Sequence, residues 1–234
     1  MIKSLHLHIY IVFNVAVIGT LIFLLYSVRK VSNKAAGGVA LFIGAWMFLQ
    51  EQLAFNGFYL KTDTLPPRFI FAVLPMFFLI AVLLILPVTK NFLAQMPLLP
   101  LTLLHIVRIP VELVLHWLFQ AGLVPQLMTF EGRNFDILSG ITAPVIAWLA
   151  FRGGKVNRKL LLVWNIIALC LLINIVSHAI LSLPYPMQKL AFDQPNYGVL
   201  FFPFIWLPSM IVPAVLFCHL VSIQRLMKDK QEML

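Results

Sequence analysis

Four residues within one apolar segment have the types and spacing needed to move a proton or hold a ligand: His105, Arg108, Glu112 and His116. At about 100° per helical residue they fall near 0°, −60°, −20° and +20°, a single stripe about 80° wide and about 16 Å long. An ionisable side chain at membrane depth costs several kcal/mol and marks a functional site by default. Arg108 and Glu112 are spaced i,i+4 and can neutralise each other, with Pro110 loosening the backbone between them. Glu112 and His116 repeat the spacing, near enough to share a proton or a metal ion. The competing reading is a buried ion pair capped by histidine, which fixes helix register and does no chemistry.

Other apolar segments carry further polar residues. Gln50, Glu51 and Gln52 are consecutive and cannot all face one partner, while Gln52 and Asn56 share a helix face. Glu51 has no basic residue on its own segment, so its expected partner is Arg108 or a shared proton. Gly37, Gly38 and Gly44 are expected to let helices approach closely. Asn174 and His178 lie one turn apart on one face; Asn165 reads as interhelical glue and His219 as interfacial. His6 and His8 read as a solvated terminus. The metal-ligand candidates are Glu112, His116, Glu51 and His178, and no cofactor is specified.

The elements that must position these residues follow from composition. Of 234 residues, 62% are hydrophobic and 11% charged, with mean hydropathy +0.97. A soluble domain is about 45–50% apolar and about 25% charged. This excludes a soluble enzyme, a disordered chain and a disulfide-stapled module. Cys170 and Cys218 lie in apolar runs and read as small hydrophobes. Apolar segments cover about 9–28, 35–60, 69–88, 100–124, 135–151, 160–183 and 199–223, close to the roughly 20 residues a span requires. The expected fold is all-α, a single transmembrane domain of seven helices, or six if the short fifth segment is re-entrant. Pro203, Pro208 and Pro213 imply kinks in the last segment, satisfied by neighbouring helices.

Charge sets the orientation. With the N-terminus outside, the inner loops hold Arg29, Lys30, Lys34, Lys90, Arg152, Lys155, Arg158, Lys159, Arg225, Lys228 and Lys230. The outer loops hold only Lys3, Lys61, Arg68, Arg133 and Lys189, while the inner acidic residues are Asp229 and Glu232. A re-entrant fifth segment would turn Arg152, Lys155, Arg158 and Lys159 outward, against the rule. The net charge of +9 is thus mostly positive-inside charge and needs no nucleic-acid partner.

In this N-out, C-in arrangement the second, fourth and sixth segments run outward. Gln50, Glu51, Asn56, Glu112, His116, Asn174 and His178 are then expected to converge on a cavity open to the extracytoplasmic side. Over it lies Thr129-Phe-Glu-Gly-Arg-Asn-Phe-Asp136, in which Asn134 or Asp136 can cap the fifth helix. Glu131 and Arg133 have no such duty and are candidates to line the entrance. A second loop, Leu183 to Tyr197, carries Gln188, Lys189, Asp193 and Gln194 and reads as a solvated loop or a lid. No HExxH, GxSxG, Walker A or CxxC motif is present, and the last segment lacks the lysine of a retinal Schiff base.

Pro66-Pro67-Arg68, the Arg108/Glu112 helix, Glu131-Gly-Arg-Asn-Phe-Asp136 and Phe202-Pro-Phe with Pro208, Pro213 and His219 together resemble a group of uncharacterised bacterial multi-pass inner-membrane proteins. The resemblance implies an inner-membrane location and no particular activity. The expected function is binding of a small polar or lipid-derived ligand, or a proton, by Glu51, Arg108, Glu112, His116 and His178, with transport as one outcome. The alternatives are a metal- or acid/base-dependent intramembrane enzyme acting on a lipid-like substrate, and a structural partner in a membrane complex.

Overall fold

The computed structural model describes residues 5–231, and side chains as far as residue 228. Lys3, Glu232 and the side chains of Asp229 and Lys230, all used in the charge count, lie outside the described residues. The regular elements of the described residues are all helices, without strands. Helices α1 (Leu7–Arg29) and α2 (Asn33–Phe55) lead into α3 (Ile70–Ile85) and α4 (Pro87–Gln95). Then α5 (Leu98–Leu103), a 3₁₀ turn (Leu104–Val107) and α6 (Arg108–Gln120) form one rod. Helices α7 (Ile137–Phe151) and α8 (Arg158–Leu181) follow, and a π turn (Leu207–Ile211) opens α9 (Val212–Gln231).

Five stretches are long and apolar enough to cross a membrane: α1, α2, the α5–α6 rod, α8 and Leu207–Lys228. Together they mark an integral membrane protein. A sixth is the α3–α4 pair, if its 90° bend is counted within one span. The third segment thus departs from the straight span read over 69–88: it turns at Leu86, because Pro87 cannot continue the ladder. The fifth, α7, has 15 residues and is about 22 Å long. The α5–α6 rod and the last span are the most buried, and α2 the least.

Prolines free carbonyls inside these helices, and specific side chains answer them. Pro75 leaves the carbonyl of Phe71 without its i+4 donor, and Gln50 Nε2 on α2 donates to it at 3.4 Å. Pro213 does the same to Ser209, whose carbonyl accepts from Trp46 Nε1 at 2.9 Å. Pro87 frees Leu83, which takes the Thr89 hydroxyl. Trp206 Nε1 returns a bond to the Met47 carbonyl at 3.1 Å, so α2 and the start of the last span are laced both ways. In hydrocarbon no water can replace these donors. Trp46→Phe and Gln50→Leu are each expected to lower unfolding stability by about 1–3 kcal/mol, read as a fall in Tm in a fixed detergent.

Gln50 is therefore not in a pocket with Glu112. Its Oε1 accepts from the Tyr59 hydroxyl, and Tyr185 Oη donates to the Tyr59 carbonyl at 2.8 Å, tying α2 to the 184–197 loop. Burial pushes the Tyr185 phenol up to about 12. The glycines of α2 also differ from expectation: a Cβ at Gly37, Gly38 or Gly44 would meet nothing within 4 Å, so no helix approaches there among the described residues.

Candidate polar site at the core of the bundle

The α6 stripe enters the protein interior as its spacing implies. His105, Arg108 and Glu112 are buried, and His116 is half-buried at the far end. Its partners differ from those expected. Arg108 pairs with Asp136 in place of Glu112: its Nη1 lies 2.8 Å from Asp136 Oδ1, with a second bond to the Ala168 carbonyl at 3.3 Å. Its Nη2 donates to His219 Nε2 at 2.8 Å. Arginine has no acceptor, so His219 Nε2 must accept and its Nδ1 carries the hydrogen. That Nδ1–H reaches Asn165 Oδ1 at 2.9 Å, and Asn165 Nδ2 donates to the Leu161 carbonyl. One continuous chain, Asp136–Arg108–His219–Asn165, therefore joins α6, α7, α8 and α9. His105 stacks on His219 with ring centres 3.9 Å apart and edges onto Trp164. Neither ring nitrogen of His105 has a partner.

Two expectations are corrected here. His219 is fully buried rather than interfacial, because the packing of α9 against α8 sets it between Arg108 and Asn165. Asp136 makes no side-chain cap for α7 and descends as the counter-ion of Arg108. It thus joins Arg108 and Glu112 as a buried charge, while Glu51 is only half-buried on α2. Arg108 takes Asp136 in place of Glu51.

The loop before α7 is built to bring Asp136 down. Asn134 Oδ1 accepts from the Asp136 N–H at 3.0 Å, a local Asx turn. Asn134 Nδ2 donates to Glu112 Oε1 at 2.6 Å and to the Met128 carbonyl at 3.0 Å. Gly132 lets the loop fold over the turn Gln126–Met128: a Cβ there would lie 2.3 Å from the Gln126 carbonyl oxygen. Gly140 similarly lets α7 close on the Arg108 turn, where a Cβ would sit 2.8 Å from Ile109 Cγ1. Of the four entrance-loop candidates, Asn134 and Asp136 are buried and structural to the site, and Glu131 and Arg133 are exposed.

At the loop end of α6, His116 Nε2 accepts from Gln120 at 3.0 Å. Its Nδ1 stands 3.8 Å from Glu131 Oε2, beyond hydrogen-bond length, and the ring stacks on Phe130. Asn174 Nδ2 holds the Arg133 carbonyl at 2.9 Å, and His178 Nδ1 donates to the Asn174 carbonyl at 2.8 Å. Asn56 is exposed at the end of α2. The 183–197 loop is pinned, with Gln194 Nε2 donating to the Phe119 and Val124 carbonyls at 3.0 and 2.6 Å. The proposed ligand set Glu112, His116, Glu51 and His178 does not assemble: no group of three or more His, Cys, Asp or Glu able to hold a metal exists among the described residues.

Beside the network lies a half-open cleft of about 80 Å³ between α3 and α8, with α6 and the start of the last span behind it. Its walls are apolar, from Phe69, Val73 and Phe77 on one side to Leu172, Val176 and Ile180 on the other. Glu112, Asp136 and Asn196 are its polar lining residues. Two buried acceptors among them lack any donor, Glu112 Oε2 and Asn196 Oδ1. Asn196 went unnoticed in the sequence because a lone Asn in a Pro-rich loop carries no periodic signal.

No curated protein and no solved structure matches the chain. Residues 66–227 match the family described as a domain of unknown function, DUF8737, and that stretch contains every residue of the buried network. The chain belongs to the DUF8737 family.

Proposed function

We propose that the cleft binds a small lipid-derived amphiphile headed by a hydrogen-bond donor, an amine or a hydroxyl. The observation that carries this is the pair of donorless acceptors, Glu112 Oε2 and Asn196 Oδ1, in one apolar cleft. A buried acceptor without a donor costs about 1–3 kcal/mol, and more when charged. The site also holds two carboxyl groups, Asp136 and Glu112, and one cation, Arg108, which is paired with Asp136, so it has room for one further positive charge or proton. About 80 Å³ is several times the roughly 10–15 Å³ a water needs, enough for a head and its first methylenes. The tail stays in the bilayer, reached sideways between α3 and α8.

Three probes with the same tail test the reading: dodecylamine, dodecanol and dodecanoate, added to the protein in nanodiscs. Thermal stabilisation is expected in the order amine, alcohol, carboxylate, the last giving none because it brings a further acceptor. Equal stabilisation by all three would contradict it.

The chain is further proposed to cross an inner bacterial membrane seven times, N-out and C-in, supported by the loop charge count. The Glu112 cleft then lies in the outer half. Single cysteines replacing Gly153 and Glu131, in a chain freed of Cys170 and Cys218, are expected to react with an impermeant maleimide only from the inside and the outside respectively. Labelling of both from one side would refute the seven-span topology.

A further inference from the structure

At the opposite end of the bundle from the Thr129–Asp136 loop, α4 separates two cavities of different chemistry. One is a cleft of about 320 Å³ between α4 and the end of α9, lined by Lys90, Leu93, Ala94, Gln224, Arg225 and Lys228, with Met227 beside them. It holds three cations and an amide, and no acidic side chain among the described residues. The other, about 300 Å³, lies between α1, α2, α3 and the last span. Its lining is apolar except for Thr89, whose hydroxyl is engaged by the carbonyls of Leu83 and Leu86. Leu93 forms part of both walls. Both volumes reach the range of small-molecule sites, about 300–1,000 Å³.

This juxtaposition has a structural cause. The 90° bend at Leu86–Pro87 lays α4 across the bundle, where α3 would otherwise have run on. One edge of α4, through Lys90 and Ala94, meets the basic end of α9. Its other edge, through Thr89 and Phe92, closes the apolar cavity. Arg225 is held in place by the Met96 carbonyl, and Arg158 Nη2 donates to the Arg225 carbonyl at 3.2 Å, so the basic wall is ordered from beneath. Lys90 and Lys228 are exposed at its rim.

We propose that this paired space is a site for one anionic phospholipid, with its phosphate among Lys90, Arg225 and Lys228 and an acyl tail in the apolar cavity. A basic pocket between membrane helices next to an apolar one fits an anionic headgroup and its tail. A free anion would use only the first cavity and a neutral lipid only the second. The site goes beyond the proposed ligand of the Glu112 cleft and does not depend on it.

The test is retention of lipid by the full-length protein, taken from nanodiscs of equimolar phosphatidylglycerol and phosphatidylcholine with identical tails and read by native mass spectrometry. Phosphatidylglycerol is expected to be retained at least about tenfold over phosphatidylcholine. The double variant Lys90→Gln/Lys228→Gln, and separately Ala94→Glu at an exposed position of the cleft, are expected to bring the ratio near one while Tm stays unchanged. Glu112→Gln is expected to leave the ratio as in the wild type, which separates this site from the other. Equal retention of the two lipids by the wild type would overturn the proposal. So would a preference that survives both variants, or displacement of phosphatidylglycerol by millimolar inorganic phosphate.

Discussion

Asp136→Leu is expected to destabilise the protein by about 3–5 kcal/mol, because it leaves the Arg108 guanidinium buried without its counter-ion. Arg108 is 3% exposed and Asp136 5%, so solvent cannot take over the lost role. Arg108→Met is expected to cost a similar amount by stranding Asp136 and removing the donor to His219 Nε2. The double variant Arg108→Met/Asp136→Leu is the informative one. Replacing both charges by apolar groups of similar volume is often close to neutral, so it is expected to be more stable than either single variant. Unfolding in a graded series of denaturing detergent reads all three. If the losses simply add in the double variant, the pair is not coupled and the network as described is wrong. If the double variant also binds dodecylamine like the wild type, the ion pair serves the fold, and ligand binding rests on Glu112 and Asn196.

The second large effect is at Glu112. Glu112→Gln keeps the side-chain volume and an oxygen to accept from Asn134, but places an amide donor where the donorless Oε2 now stands. A donor-headed ligand then meets a donor. Hydrogen bonds to charged groups contribute about 1.5–3 kcal/mol, so affinity for dodecylamine is expected to fall roughly ten- to a hundredfold. Stability should change little or rise, since an unpaired buried carboxylate oxygen is removed. Asn196→Leu removes the other acceptor, at the cost of its bond to the Ala179 carbonyl at 3.2 Å, and should weaken binding less, as a neutral acceptor does. Unchanged affinity in Glu112→Gln would remove the cleft from the functional account.

How much of this was legible in the sequence follows from where each partner sits. The α6 stripe was legible because helical spacing alone puts His105, Arg108 and Glu112 on one face, and hydrocarbon forces that face inward. Asn165 as interhelical glue was legible for the same reason. Asp136 was not: it precedes a helix, where an acidic residue ordinarily caps, and only the Asn134 turn and the close approach at Gly132 bring it to Arg108. His219 lies near a chain end and its burial depends on how α9 rolls against α8. Gln50 carried a real polar signal whose meaning was structural. The carbonyl it serves is freed by Pro75, on a helix whose pairing with α2 only the tertiary fold reveals. Each of the seven apolar segments contains a helix, but the bend at Pro87, the shortness of α7 and the turns that occupy 201–205 before the last span reflect local backbone demands that hydropathy does not register.

The most direct test of the donor-headed ligand is a mapped photo-crosslink. A dodecylamine bearing a diazirine on its first methylenes is bound to the wild-type protein in nanodiscs and irradiated, and the labelled peptides are sequenced by mass spectrometry. Label is expected on residues 69–77 of the α3 wall and 172–180 of the α8 wall, which face each other across the Glu112 cleft. It should be lost in Glu112→Gln and competed by dodecanol but not by dodecanoate. Label spread evenly over the lipid-facing helices, α2 included, or persisting undiminished in Glu112→Gln, would contradict the account.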